Sequence, residues 1–125
     1  MSFVWVQRAV VDVAHAQSLA RWGGLAGVRD EGAILSALAR PANQAASGDP
    51  DTADLAATYL HGMVKAHGFV DGNKRTAWLV ARIFLGLNGG ALRHDPIEAT
   101  MMVIHVAAGS LSESSCAEWF RERLS

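Results

Sequence analysis

Cysteine and proline are scarce in this sequence, which has one cysteine, Cys116, and three prolines in 125 residues. A lone cysteine cannot form an internal disulfide, and this is consistent with a reducing compartment. No cysteine–histidine cluster indicates a zinc site, so we expect Cys116 to be a small buried or half-buried residue. The scarcity of proline leaves long segments free to form helices.

An excess of one charge and a long hydrophobic run are also missing. The chain has 11 basic and 12 acidic side chains and a formal net charge of −1, so electrostatics do not indicate nucleic acid or an anionic membrane as a partner. The two most apolar stretches, Trp78–Leu87 and Met101–Ala108, are too short to span a bilayer. We see no signal peptide. We therefore expect a soluble, cytoplasmic protein without a nucleic-acid or membrane partner.

The spacing of apolar residues predicts an all-α fold. Half of the residues are apolar, turn signals separate segments with helical spacing, and no run of alternating strands appears. We expect a single domain, residues 1–125, with about six helices. The first is predicted at about Gln7–Trp22, and the second runs from Asp30 to a stop at Pro41. The third has a cap at Asp49 and Pro50 as its first residue, and it runs to Gly68. The last three are predicted from near Asn73 to about Asn88, from Asp95-Pro96 to about Ala108, and from near Ser112 onward.

Chemistry is expected where the third and fourth of these helices meet. His67 ends one helix and Asn73 begins the next, so the loop between them faces free backbone N–H groups and the positive end of a helix dipole. Such a helix start binds anions. Lys74 and Arg75 lie in the same first turn, where helices favour acidic side chains. Two cations there indicate a bound anion such as a nucleotide phosphate.

The other residue types complete a phosphate-handling site. The Asp71 carboxylate can hold Mg²⁺, which binds through one or two carboxylates and phosphate oxygens. Gly72 lets a ligand approach the backbone, and Asn73 can cap the helix or donate to a phosphate oxygen. Because an imidazole group in general titrates near neutral pH, His67 can take a proton from an attacking hydroxyl. Taken singly, these residues are more ordinarily a packed histidine, a turn and solvated charges; their combination indicates phosphoryl or nucleotidyl transfer.

The spacing of this segment resembles the signature of the Fic/Doc family. The family pattern His-x-Phe-x-Asp/Glu-x-Asn-x-Arg is matched by His67, Phe69, Asp71, Asn73 and Arg75.

Two positions inside the motif separate branches of the family. Most AMP-transferring members have proline after the histidine and glycine between the asparagine and the arginine, whereas this chain has Gly68 and Lys74. The run at residues 73–76 resembles the Doc (death-on-curing) branch. Residues 23–30 and 36–41 are similar to the N-terminal stretch of Doc-like proteins, so the resemblance covers nearly the whole chain.

The resemblance implies a compact Fic/Doc helical bundle and, for the Doc branch, a toxin of a Phd–Doc type toxin–antitoxin system. Such a toxin transfers the terminal phosphate of ATP, with Mg²⁺, to a threonine of elongation factor Tu and stops translation. On this basis His67 is the general base and Asp71 binds the metal or steadies the loop. Lys74 and Arg75 hold the phosphates, with Gly72 and Asn73 also at the nucleotide.

Two alternatives remain open from the sequence. The chain could be an AMP transferase that acts on another protein, because the shared His, Asp, Asn and Arg allow it. It could also be a non-catalytic module that recruits a partner through a degenerate fold.

Family members with built-in inhibition carry the motif Ser/Thr-x-x-x-Glu-Gly/Asn. In this chain Glu31-Gly32 has the matching spacing, but Gly27 stands where the serine or threonine would be needed. Inhibition is therefore expected from a separate, Phd-like antitoxin.

Several residues outside the motif carry weaker expectations. Residues 43–51 are predicted to be an exposed loop and to correspond to the family's target-docking flap. The tryptophans are expected to be core or rim anchors, with Trp5, Val10 and Trp22 as a possible groove for an antitoxin helix. Arg82 is expected either to reach the site or to pair with an acid such as Glu118. Packed or surface positions are expected for His15, His61, His94 and His105.

Overall fold

A computed structural model describes residues 2–125 and contains six helices. They are α1 (Arg8–Trp22), α2 (Glu31–Ser47), α3 (Thr52–Ala66), α4 (Asn73–Leu87), α5 (Pro96–Ala108) and α6 (Glu113–Arg123). The described part of the chain has no strand, only two isolated bridges. The all-α prediction is confirmed. None of these helices is long and apolar enough to cross a membrane.

Helix α3 is the centre of the bundle and packs against α2, α4 and α6. An apolar stripe along α3 is buried, and it consists of Leu55, Tyr59, Leu60, Met63 and Val64. Burial extends beyond that stripe, because small residues such as Ala56 and Gly62 let neighbouring helices cover the other faces. A helix enclosed in this way holds its C-terminal end, where His67 lies, in a fixed position.

The prediction that α2 stops at Pro41 is wrong, since the helix continues to Ser47. A proline inside a helix removes one backbone hydrogen bond. Here the Pro41 side chain is buried in the core, and the next turn is tied down because the Thr58 hydroxyl donates to the Gln44 side chain. Packing against α3 therefore carries the helix past Pro41. The predicted loop at residues 43–51 shrinks to residues 48–51.

The start of α3 lies two residues later than predicted, with Asp51 rather than Asp49 as the cap. The Asp51 carboxylate accepts from the Asp54 N–H at 2.8 Å, and the Asp54 carboxylate accepts from the Asp51 N–H at 2.9 Å. This reciprocal arrangement satisfies two N–H groups, which a single cap at Asp49 would not do. The Arg121 guanidinium of α6 bonds to Asp51 and lowers the pKa of that carboxyl to about 2.

The other predicted helix starts are confirmed. The side chains of Asp30, Asp95 and Ser112 each accept a hydrogen bond from the first turn of the helix that follows. Glu98 lies in the first turn of α5. It pairs with Arg123 of α6 at 3.3 Å and so joins two helices.

Candidate active site

The chain turns sharply between α3 and α4, and His67 is the residue at which it turns. Its backbone is left-handed, with φ 48° and ψ 43°, and it is the one non-glycine residue with positive φ among residues 2–125. The prediction that the helix stops at Gly68 is therefore wrong by one residue, because the C-cap is His67. A side chain in this uncommon region often marks a functional position. Here the turn leaves the His67 side chain exposed.

Gly68 is required for close packing. A Cβ atom at this position would lie 2.2 Å from Cγ1 of Ile34, whose side chain is fully buried, and 3.2 Å from the Asp30 carbonyl oxygen. The Gly68 carbonyl accepts from the N–H groups of Arg29 and Asp30 at 2.7 and 3.0 Å. The loop between His67 and α4, residues 68–72, which we call the motif loop, thus packs directly against the start of α2.

Gly68→Ala is expected to destabilise the protein by about 1–3 kcal/mol, because an enclosed Ile34 cannot make room for the new methyl group. Urea unfolding monitored by circular dichroism measures the change. Gly86→Ala in α4 is the matched control, since a Cβ atom there meets nothing within 4 Å. The control is expected to be neutral or to add up to about 1 kcal/mol of helix stability. Equal effects of both changes would contradict this account of Gly68.

Asn73 closes the loop with both ends of its side-chain amide. Its Oδ1 accepts from the Phe69 N–H and its Nδ2 donates to the Phe69 carbonyl, each at 2.9 Å. The predicted capping role is wrong, since Gly72 is the N-cap of α4, with φ 76°, and no side chain caps this helix. A buried amide with these two partners holds the loop. The N–H groups of the first turn are left for a ligand.

The Asp71 carboxylate is oriented by two backbone donors. Its Oδ1 accepts from the Gly72 N–H at 3.0 Å and its Oδ2 from the Leu25 N–H at 3.2 Å. Each oxygen keeps a further lone pair, so the carboxylate can still contact a cation. Over residues 2–125, no group of three or more His, Cys, Asp or Glu side chains could hold a metal ion by itself. A cation at Asp71 would need phosphate oxygens as additional ligands, as Mg²⁺ usually has.

Lys74 and Arg75 differ in their exposure and in their contacts with the rest of the protein. Lys74 is exposed and takes part in none of the ion pairs between described residues. Arg75 is half-buried, and its Nη2 donates to the Gly23 carbonyl at 2.9 Å. Its Nε is buried without a hydrogen-bond partner. Two cations and uncapped N–H groups therefore surround one point at the start of α4.

All six predicted site residues line one cavity of about 320 Å³. Its walls are His67, Val70, Asp71, Gly72, Asn73, Lys74 and Arg75. The cavity thus combines an imidazole, a carboxylate and two cations beside a helix N-terminus. These groups can accept a proton and stabilise charge that develops on phosphate oxygens.

Residues 23–30 lie alongside the motif loop, and this placement was not predicted from the sequence. Two hydrogen bonds join their backbone to the loop. The Leu25 N–H donates to the Asp71 carboxylate, and the Gly27 carbonyl accepts from the Val70 N–H at 3.0 Å. The expectation for residues 43–51 as a flap beside the site is wrong. They lie at the other end of α3, whose 15 residues span roughly 22 Å at 1.5 Å per residue.

A second cavity, of about 830 Å³, adjoins the first between α1, α4 and α5, and we call it the cationic groove. Lys74 and Arg75 line both cavities. Arg82 is also in its lining and lies over the Trp78 ring, 5.8 Å from its centre. Arg82 takes part in none of the ion pairs between described residues, and Glu118 pairs with Arg121. The alternative in which Arg82 pairs with an acid such as Glu118 is therefore wrong.

The predicted Trp5–Val10–Trp22 groove is not formed. Trp5 stacks on Phe84 and Trp22 is 62% exposed, and they lie near opposite ends of α1. Cys116 is buried, as predicted, and burial raises the pKa of its thiol to about 12.

The other histidines have packed or surface positions, as predicted. Burial lowers the pKa of His61, and His94 is half-buried with its ring edge-on to Trp78. His105 is exposed and bonds to Ser110. His15 is buried but contacts the motif loop directly, with Nε2 at 2.9 Å from the Asp71 carbonyl oxygen. No local sequence signal linked these two residues, which are 56 positions apart.

A sequence model described as the Fic/DOC family matches residues 5–85, which include α1, α2, α3 and the whole motif loop. The chain belongs to the Fic/DOC family. Two relatives of this Fic/DOC chain are a "Toxin Doc" and a "Protein kinase doc". The first, from Mycolicibacterium smegmatis (strain ATCC 700084 / mc(2)155), is 44% identical over 86 residues, which are 67% of this chain and 65% of that protein. The second, from Escherichia phage P1, is 34% identical over 108 residues, 86% of this chain and 85% of that protein.

Proposed function

We propose that the chain is the toxin of a toxin–antitoxin system and acts as an ATP-dependent protein Ser/Thr kinase. The observation that carries the proposal is the 320 Å³ cavity, in which His67, Asp71, Lys74 and Arg75 meet at the uncapped start of α4. The two relatives, a toxin Doc and a protein kinase doc, support a toxin with kinase activity. We propose a threonine of elongation factor Tu as the acceptor and residues 1–125 as one catalytic domain in the cytoplasm.

In the proposed reaction, the threonine hydroxyl oxygen attacks the terminal phosphorus of ATP as the bond to the bridging oxygen breaks. His67 accepts the hydroxyl proton, and ADP leaves. Lys74, Arg75 and the first-turn N–H groups of α4 stabilise the negative charge on the phosphate oxygens. Asp71 would hold Mg²⁺ together with those oxygens, and the metal would neutralise part of the same charge.

The alternative is transfer of AMP to another protein, which uses the same His, Asp, Asn and Arg. Lys74 favours phosphate transfer, because an exposed ammonium in the first turn of α4 occupies the place where a glycine would let the α-phosphate approach.

Incubation with elongation factor Tu and ATP labelled at either the γ- or the α-phosphate separates phosphate transfer from AMP transfer. Labelling of the factor from γ-labelled ATP alone supports kinase activity. Labelling from α-labelled ATP indicates AMP transfer, and no labelling by folded protein contradicts both reactions on this target.

The cationic groove is the surface that we propose for a cognate, Phd-like antitoxin. Its lining includes Arg21, Lys74, Arg75 and Arg82 and contains no aspartate or glutamate. Apolar surface, including the exposed side chain of Ile104, provides most of its exposed lining. This combination suits an acidic amphipathic segment, whose apolar face would pack inside and whose carboxylates would meet the cations. Because the groove shares Lys74 and Arg75 with the catalytic cavity, its occupant would compete with phosphate.

Arg82→Glu is expected to weaken binding of the antitoxin encoded by a neighbouring reading frame by about tenfold or more, with a reduced dependence of affinity on salt. Titration calorimetry at two salt concentrations measures both quantities. Arg93→Glu is the control, since it makes the same charge change at an exposed residue outside the groove lining. Equal affinities of the two variants for the antitoxin would contradict the assignment of the groove.

A further inference from the structure

His15 is a buried polar residue packed on the motif loop from α1. It is 6% exposed, and its ring stacks on Phe69 with ring centres 3.8 Å apart and an angle of 15° between the planes. Its Nε2 lies 2.9 Å from the Asp71 carbonyl oxygen. A carbonyl oxygen only accepts hydrogen bonds, so Nε2 carries the proton and donates it. His15 therefore contacts two of the five residues that match the family pattern.

The peptide unit between Asp71 and Gly72 is held at both of its polar ends. His15 bonds to the carbonyl group, and the Gly72 N–H donates to Oδ1 of the Asp71 side chain at 3.0 Å. Rotation of this peptide unit would break both hydrogen bonds. The unit immediately precedes α4, so its orientation sets the direction of the carboxylate and of the N–H groups at the helix start.

We propose that His15 is a positioning residue for the phosphate site. By donating from Nε2 to the Asp71 carbonyl, it holds the loop so that the Asp71 carboxylate and the start of α4 face the catalytic cavity. Phe69 supports this geometry, because the stacked ring keeps the imidazole in the plane that reaches the carbonyl. The kinetic consequence of this role rests on the proposed kinase function, whereas the consequence for loop order does not.

Two substitutions separate the hydrogen bond from the packing. His15→Phe keeps an aromatic ring against Phe69 and removes the donor, whereas His15→Gln keeps an N–H donor and removes the ring. The matched control is His105→Phe, because His105 is exposed on α5 and its ring bonds only to Ser110 among residues 2–125. Hydrogen exchange of the amides in residues 68–73 reports loop order, and thermal unfolding reports the stability of the whole fold.

We expect His15→Phe to accelerate amide exchange in residues 68–73 by about five- to tenfold, as loss of one hydrogen bond predicts. Exchange in α3 and α6 should stay close to that of the unchanged protein. His15→Gln should restore most of the loop protection, and His105→Phe should change nothing. Unchanged loop exchange in His15→Phe would overturn the proposal. An equal rise across all helices in both His15 variants would also overturn it, because His15 would then serve only global stability.

Kinetics provide the second measurement. With γ-labelled ATP, His15→Phe should lower kcat by about tenfold with a smaller change in KM for ATP, and His15→Gln should recover most of the loss. A failure of the unchanged protein to transfer phosphate would count against the proposed function alone, since the exchange experiment still decides the role of His15. A normal kcat in His15→Phe together with active unchanged protein would contradict the kinetic consequence of this positioning.

Discussion

Replacing His67 by alanine is expected to lower phosphate transfer by a factor on the order of 10²–10⁴ and to remove growth arrest, while leaving the fold intact. The side chain is exposed and lines the 320 Å³ cavity. None of the hydrogen bonds between described side chains involves its ring, so little packing is lost with it. Initial rates with γ-labelled ATP, together with the growth of cells that express the variant, measure the two effects.

The backbone at His67 requires a second variant. Because this residue has φ 48°, alanine could weaken the turn itself. Asparagine tolerates the left-handed region and lacks a group that titrates near neutral pH, so His67→Asn should preserve the turn and lose the activity. His105→Ala controls for removal of an exposed imidazole elsewhere. If both His67 variants still arrested growth, the alternative of a non-catalytic binding module would be favoured.

Lys74→Ala and Arg75→Ala are each expected to reduce phosphate transfer by about 10²–10³, the usual cost of removing one group that stabilises transition-state charge. The two variants should differ elsewhere. Arg75 also donates to the Gly23 carbonyl, so only its loss should loosen residues 23–30, measured as faster amide exchange. Arg75→Lys should keep the charge but recover little of either effect, because lysine lacks the guanidinium fork.

A normal rate of γ-phosphate transfer in Lys74→Ala would contradict the role given to Lys74. It would also remove the main structural reason for preferring phosphate over AMP, because that preference depends on an exposed ammonium in the first turn of α4. Equal loosening of residues 23–30 in both variants would show that the hydrogen bond from Arg75 to Gly23 does not hold that segment.

The corner between α3 and α4, where the proposed catalytic residues lie, was predictable because its signals are local. Apolar residues at helical spacing place His67 at the end of a buried helix, and the glycines before Asn73 allow the next helix to begin. Lys74 and Arg75 stand out in any sequence, since cations are unfavourable at a helix start without an anion. These features depend on neighbours within about one helical turn, and the structure brings all of them to one cavity.

The features that the sequence did not reveal depend on distant contacts. Pro41 is a helix stop by local preference, but burial of its ring and the bond between Thr58 and Gln44 continue the helix. The side chain of Asn73 looked available to a ligand, yet both of its polar ends bond to Phe69. His15 reaches the motif loop from α1, and residues 23–30 reach it through backbone hydrogen bonds, so only the folded arrangement shows their involvement.

We propose that the corner between α3 and α4 transfers the terminal phosphate of ATP to a protein. Intact-mass and peptide mass spectrometry of proteins from cells expressing either the unchanged chain or His67→Asn tests it directly. We predict a threonine of elongation factor Tu that carries the mass of one phosphate with the unchanged chain and no modification with the variant. An AMP adduct, or the same modification with both chains, would contradict the account.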